Sequence, residues 1–347
     1  MSIFDQKVIK YEMKPLSSLE KVFPDETPVY RMECQMLSGL WGETVSFQVA
    51  YTGDFVMRER LDVRVVSELA EHVHVRTVEM VPVGRATNGI VDDNYLKTTS
   101  GLYPDLLKDL KDGKVIVYSR QWRSLWVDVD ITNEIPAGEY EIEIQLIKEG
   151  EVVCSAKQKV TVIGTELPKL DIMHTEWMHA DCLADYYHVE VFSEEHWKLL
   201  ENYFQEYVKR DCNMMLTPLF TSPLDTAIGL ERTTCQLIDV EVKDGEYVFG
   251  FEKLKRWIDL CKKCGIEYFE MSHLFSQWGA KYAPKVVATV NGKKEKIFGW
   301  HTPAVGEYTK FLESFLPQLT AKLREWEIAD VTYFHISDEP REEHLES

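Results

Sequence analysis

What this sequence lacks narrows it before anything it contains. No stretch of its 347 residues approaches the roughly 20 consecutive apolar residues needed to span a bilayer. The opening Met1-Ser-Ile-Phe-Asp-Gln-Lys-Val-Ile-Lys10 has none of the apolar core of a signal peptide. No G-x-G-x-x-G or Walker lysine follows a strand-like run, and neither G-x-S-x-G nor H-E-x-x-H occurs. Nucleotide binding and serine or zinc hydrolysis therefore have no support. Positive charge is scarce: 39 Lys and Arg face 58 Asp and Glu, for a net −19. Such a field repels nucleic acid and anionic membranes on average, but leaves a neutral ligand such as a sugar unaffected.

Cysteine is the last shortage. Seven residues at 34, 154, 182, 212, 235, 261 and 264 are odd in number and scattered, which is no disulfide framework. A reducing, cytoplasmic location is the expectation. Cys261-Lys-Lys-Cys264 has C-x-x-C spacing, but it ends an amphipathic helix closed by Gly265 and has no second pair to complete a zinc site. No metal or other cofactor is expected.

What is present divides in two. Residues 1–165 hold short β-rich runs at Val29–Met36, Thr44–Tyr51, Leu61–Val66, Val73–Val81, Val115–Tyr118, Ser124–Ile131, Glu139–Ile147 and Val152–Ile163. Regularly spaced short strands predict an antiparallel β-sandwich, with a hairpin turn at Lys148-Glu-Gly-Glu151 and a short helix over Leu102–Leu110. Gly164-Thr-Glu-Leu-Pro-Lys169 is the predicted junction. Residues 166–347 then alternate strands at Lys169–His174, Asn213–Leu216, Ile266–Met271 and Val331–Ser337 with helices at Ser193–Arg210, Phe251–Cys264 and Gly306–Trp326. Pro317 should kink or break the last helix. Strands alternating with helices predict a parallel sheet. The fold class is thus all-β followed by α/β: a sandwich, then a TIM-type (β/α) barrel of about four βα units, half of the usual eight. Its unpaired edge after the fourth strand predicts association with a further chain or another copy.

In a barrel, chemistry belongs just past each strand's carboxyl end. Those segments supply Trp177, His179 and Asp181; Asp225 and Arg232; His273, Trp278 and Trp300; and His335, Asp338 and Glu339. Aromatic platforms with directional hydrogen bonders suit a pyranose ring. His174, Glu176, His179 and Asp181 could instead ligate a metal, although their spacing matches no zinc motif. In Val331–Pro340, alternation delivers Asp338 and Glu339 to a strand end, and Pro340 should hold Glu339 in an extended turn. The same acids would equally cap a helix starting near Pro340.

The segments Trp177-Met-His-Ala-Asp181, Leu216-Thr-Pro-Leu-Phe-Thr-Ser-Pro-Leu-Asp225, Ser272-His-Leu-Phe-Ser-Gln-Trp-Gly-Ala280 and His335-Ile-Ser-Asp-Glu-Pro340, in this order, resemble glycoside hydrolase family 123. The resemblance implies cleavage of β-linked N-acetylgalactosamine by a retaining, substrate-assisted mechanism. Glu339 would be the general acid, its pKa raised by burial beside Asp338, and Asp338 would hold the 2-acetamido N–H. It also implies later barrel strands, so this stretch is expected to be inactive by itself. Two alternatives stay open. One is a two-carboxylate retaining glycosidase with its nucleophile on a later strand, and the other a non-catalytic carbohydrate-binding or scaffold protein.

Overall fold

The computed structural model describes residues 10–29, 36–55, 57–89, 91–169, 171–224, 229–277, 279–336 and 338–339. The chain forms two compact units, Met1–Lys169 and Leu170–Ser347.

The first unit contains strands β1 (Lys10–Ser17), β2 (Met36–Trp41), β3 (Thr44–Asp54), β4 (Glu59–Val66), β5 (Val73–Val83), β6 (Gly101–Asp109), β7 (Lys114–Val117), β8 (Arg123–Asp130), β9 (Gly138–Lys148) and β10 (Glu151–Glu166). They make two five-stranded sheets, β1-β3-β8-β5-β6 and β2-β10-β9-β4-β7. Strict alternation decides which side chains meet between the sheets. Ile142, Ile144 and Leu146 of β9 point inward and join Phe47, Val49, Leu125 and Val127 of the facing sheet in one buried cluster. Each such side chain, fully buried, is worth about 1.5–3 kcal/mol. The β9–β10 hairpin turns on Glu149 (φ 53°) and Gly150 (φ 88°), both left-handed as a two-residue type I′ turn requires.

Three details depart from expectation. Leu102–Leu110 is not helical but forms β6, an edge strand. Its Leu102, Leu106, Leu107 and Leu110 mimic helical spacing, yet Pro104 falls at a register shift opposite Glu79 and Met80, where a strand tolerates the missing N–H. The sandwich is not wholly antiparallel, since β2 pairs parallel with β10. β10 also runs to Glu166, into the predicted junction. The expected strand Val29–Met36 lies almost wholly outside the described residues.

The second unit contains helices α1 (Ala180–Tyr187), α2 (Glu194–Val208), α3 (Glu252–Cys264) and α4 (Glu307–Glu325). Its strands are β11 (Met214–Thr217), β12 (Asp239–Lys243), β13 (Glu246–Gly250), β14 (Tyr268–Met271), β15 (Val286–Val290), β16 (Lys293–Phe298) and β17 (Thr332–Phe334). Strands β11, β14 and β17 form a parallel sheet in the order β11-β14-β17. Ser193 caps α2 by accepting from the backbone N–H of His196. Gly265, left-handed at φ 102°, ends α3. Cys261 on α3 is buried in the apolar core, so the C-x-x-C pair belongs to this helix. Trp257 of α3 is fully buried, and α4 sets Phe311 and Phe315 against Phe220 at 5.5 and 5.1 Å between ring centroids.

Here too expectations need correcting. Described residues 171–174 form no strand, because a single carbonyl, His174 O, accepts from both Asn213 N and Met214 N instead of laying down a ladder. Helix α4 continues through Pro317 without a break. Its apolar stripe, Phe311, Phe315, Leu319 and Leu323, is buried on both sides of the proline, and that burial outweighs one lost backbone bond. Between β11 and α4, where loops were expected, lies a four-stranded sheet, β13-β12-β15-β16. Among the described residues no helix is long and apolar enough to cross a membrane.

Candidate active site

The parallel sheet converges three strand ends on one place. Ser272 N donates to Thr217 O, and His335 N donates to Met271 O, so the chain leaves β14 and β17 side by side. His273 therefore stands beside His335, with ring centroids 3.8 Å apart. Trp177 meets both imidazoles edge-on, at 5.2 and 5.3 Å. Such edge-to-face contacts align the positive ring edge with a π face.

Glu270 of β14 organises this group. Its carboxylate is 7% exposed and accepts from Trp177 Nε1 at 3.0 Å, with His335 Nδ1 at 2.8 Å from its other oxygen. A buried carboxylate is tolerable only when hydrogen-bonded in this way. The bond at Nδ1 leaves His335 Nε2 available to a ligand. His273 is 1% exposed, and among the described residues neither of its ring nitrogens has a hydrogen-bond partner. Burial, then the neighbouring His335, push its pKa down to about 4. At neutral pH it is an uncharged donor–acceptor with unused capacity, suited to a hydroxyl.

Asp338 reaches the same place and its Oδ2 accepts from Gln277 Nε2 at 2.6 Å. One ligand atom each from His273, His335 and Asp338 lies within 4.8 Å of the others, the one such group among the described residues. A tetrahedral zinc with bonds of about 2.0–2.1 Å would hold its ligands roughly 3.4 Å apart. That spacing falls inside the 4.8 Å span, as does that of groups gripping a sugar hydroxyl from several sides. The other metal set dissolves: Asp181 pairs with Arg232, while His174 lies against Asp211 O and Glu176.

Glu339 follows Asp338 and is exposed, not buried as expected. Its backbone takes φ 48°, left-handed rather than extended. Proline denies its predecessor the right-handed helical basin, and the bend at 338–339 uses the left-handed one. Left-handed backbone in a non-glycine residue costs of order 1–3 kcal/mol and collects at functional sites.

The remaining candidates divide. Asp181 and Arg232 form a bidentate pair at 2.8 and 3.2 Å, both nearly buried, with each other as first partner. His179 precedes α1 and lies close enough to depress the His273 pKa further. Trp300 makes its ring contact with Tyr282, not with the cluster. Asp225 and Trp278 lie outside the described residues. Sequence reading missed Glu270 and Gln277. A lone acid in the apolar run Tyr268-Phe-Glu-Met271 was the available signal, because a buried carboxylate must be partnered.

Comparison with known proteins fits this geometry. The pattern described as "Glycoside hydrolase 123, catalytic domain" matches residues 177–347. No curated protein matches the chain by sequence. A family 123 glycoside hydrolase structure from Clostridium perfringens superposes with a TM-score of 0.71 at 15% identity, covering 97% of this chain and 60% of that one. This chain thus spans about 60% of that protein's length. A β-glucosidase from Listeria innocua aligns at a TM-score of 0.22 and 10% identity, over 46% of this chain and 17% of that one. The N-terminal domain of PorA aligns at 0.22 and 11%, over 42% and 99%. Only the first overlap speaks to the fold, that of a β-rich, multidomain family 123 protein. The matched segment starts at Trp177, the indole that Glu270 holds, and ends beyond the Asp338–Glu339 pair. Residues 177–347 of this chain thus match the catalytic domain of glycoside hydrolase family 123.

Proposed function

We propose that the intact protein is a retaining glycosidase for β-linked N-acetylgalactosamine, using the substrate's own 2-acetamido group as nucleophile. The parallel sheet β11-β14-β17 is then part of a (β/α) barrel, with the cluster at its mouth. One observation carries the reading: Asp338, held by Gln277, stands among His273, His335 and Trp177, with Glu339 next to it in the chain.

In this reading Asp338 accepts the acetamido N–H and aims the carbonyl oxygen at the anomeric carbon. That oxygen bonds to C1 as the glycosidic C–O bond breaks, and Glu339 gives its proton to the leaving oxygen. Glu339, now a carboxylate, deprotonates the water that opens the cyclic oxazolinium ion at C1, so configuration is retained. Neighbouring acids suffice because the second nucleophile belongs to the sugar, a recognised exception to the two-carboxylate scheme. The two buried carboxylates described in this unit are already committed, Asp181 to Arg232 and Glu270 to His335 and Trp177. Neutral His273 and the free edge of His335 bind ring hydroxyls.

The test is turnover of aryl 2-acetamido-β-galactoside by the intact protein and its variants. Asp338→Asn should lose about 10²-fold or more in kcat, and Glu339→Gln a similar amount on a substrate with a poor leaving group. The aryl galactoside lacking the 2-acetamido group should not be cleaved. Near wild-type rates for both variants, or equal cleavage of the two substrates, would overturn the assignment.

A further inference from the structure

The first unit carries a cleft of about 580 Å³ where β5 and β6 of one sheet approach β4 and β7 of the other. That volume lies within the ~300–1,000 Å³ usual for small-ligand sites. Its charge runs against the rest of the chain. Among the described residues, Arg58, Lys108, Lys111 and Arg123 line it without an ion pair, facing only Glu79 and Asp109. Its other basic residues are neutralised locally: Arg60 pairs with Asp112 at 2.8 Å and Lys114 with Asp62 at 3.3 Å. Lining Glu59 is occupied by Lys148 at 3.0 Å. A surplus of two positive charges therefore faces the cleft in a protein of net charge −19. Beyond about 8–10 Å physiological salt screens the distant acids, so these local cations decide what approaches.

The cleft is also built, not merely charged. Arg123 lies over the Tyr118 ring, 5.1 Å from its centroid, and its Nη2 donates to Gln121 at 3.0 Å. This holds the guanidinium in place, while Nη1 is buried with no hydrogen-bond partner among the described residues. An unspent guanidinium N–H in a concave, cationic setting calls for an oxyanion.

We propose that this cleft binds an acidic oligosaccharide, one whose rings carry carboxylate or sulfate groups. Arg123 supplies the fixed donor and Lys108 and Lys111 the adjustable ones, which gives the protein a glycan-holding site apart from its hydrolytic centre. The choice of sugar over other polyanions rests on the glycosidase reading above.

Isothermal titration of the full chain with a tetragalacturonate (carboxylated), a heparin-derived tetrasaccharide (sulfated), neutral chitotetraose and inorganic tripolyphosphate tests it. At least one acidic tetrasaccharide should bind, and the two arms identify the anion. Affinity should fall at least about tenfold in the Lys108→Glu/Lys111→Glu double variant, and again as salt rises from about 50 to about 500 mM. Both lysines are exposed, so an unchanged melting curve will show that folding is intact. No binding of either acidic sugar, equal binding of chitotetraose, binding of tripolyphosphate alone, or indifference to the charge reversal overturns the proposal. Turnover of the aryl 2-acetamido galactoside by the intact protein should not change in the double variant. Absent turnover with intact sugar binding would sink the catalytic reading and leave this one standing.

Discussion

His273 offers the sharpest test of the site's physics. Its imidazole, 1% exposed and beside His335, has its pKa depressed to about 4. In the unfolded chain the same group titrates near 6.5. Above pH 6.5 both states are neutral and the residue contributes nothing to the pH dependence of stability. Between 6.5 and about 4 only the unfolded chain takes up the proton, so stability falls as pH falls. Below about 4 both are charged and the loss is complete. At about 1.4 kcal/mol per pH unit, the gap amounts to about 3 kcal/mol. His273→Asn removes the titration but keeps a polar group of similar reach. Urea unfolding of the second unit, followed by tryptophan fluorescence between about pH 7 and about pH 4.5, should show a flatter dependence in the variant by most of that amount. Other groups titrate in this window in both proteins, so only the difference matters. Parallel curves, or an imidazole resonance titrating near 6.5, would refute the argument.

Two further outcomes follow from buried carboxylates. Asp181→Asn strands the Arg232 guanidinium in a site only 10% exposed, and should cost about 3–5 kcal/mol in thermal or urea melts; a loss under about 1 kcal/mol would mean water reaches the pair. Glu270→Gln turns an acceptor into a donor facing either Trp177 Nε1 or His335 Nδ1. Because small misplacements can cost about 10²-fold, kcat/KM should fall roughly tenfold to a hundredfold with folding intact, and unchanged kinetics would show that the clamp is idle.

How far the sequence could be read depended on how local each signal was. Ile142, Ile144 and Leu146 alternate with the polar Glu141, Glu143 and Gln145, so β9 and its turn at Glu149-Gly150 were legible. So were α2, from Ser193 and its Trp197, Leu200, Phe204 stripe, and α3, from Gly265. β6 was misread because spaced leucines in an edge strand imitate a helix. The four-stranded sheet was missed although its turns are written plainly. Asp244-Gly245 (φ 51°, 84°) and Asn291-Gly292 (φ 49°, 77°) are two-residue type I′ turns, the strongest short-range hairpin signal. The gathering of Trp177, His273, His335 and Asp338 needs strand pairings that no local pattern announces. Glu270 looked like one polar residue in an apolar strand, and its partners lie more than sixty positions away.

Those two turns also set the sequence of events during folding. Hairpins β12–β13 and β15–β16 each close across two residues, contacts that form in microseconds. β11–β14 and β14–β17 instead join residues more than fifty positions apart, and each must absorb the closure entropy of a long loop first. The two hairpins are thus nuclei available from the start, while the strands that assemble the His273–His335–Asp338 cluster commit last. Pulse-labelled hydrogen exchange would see amides in β12 and β13 shielded before those of β14.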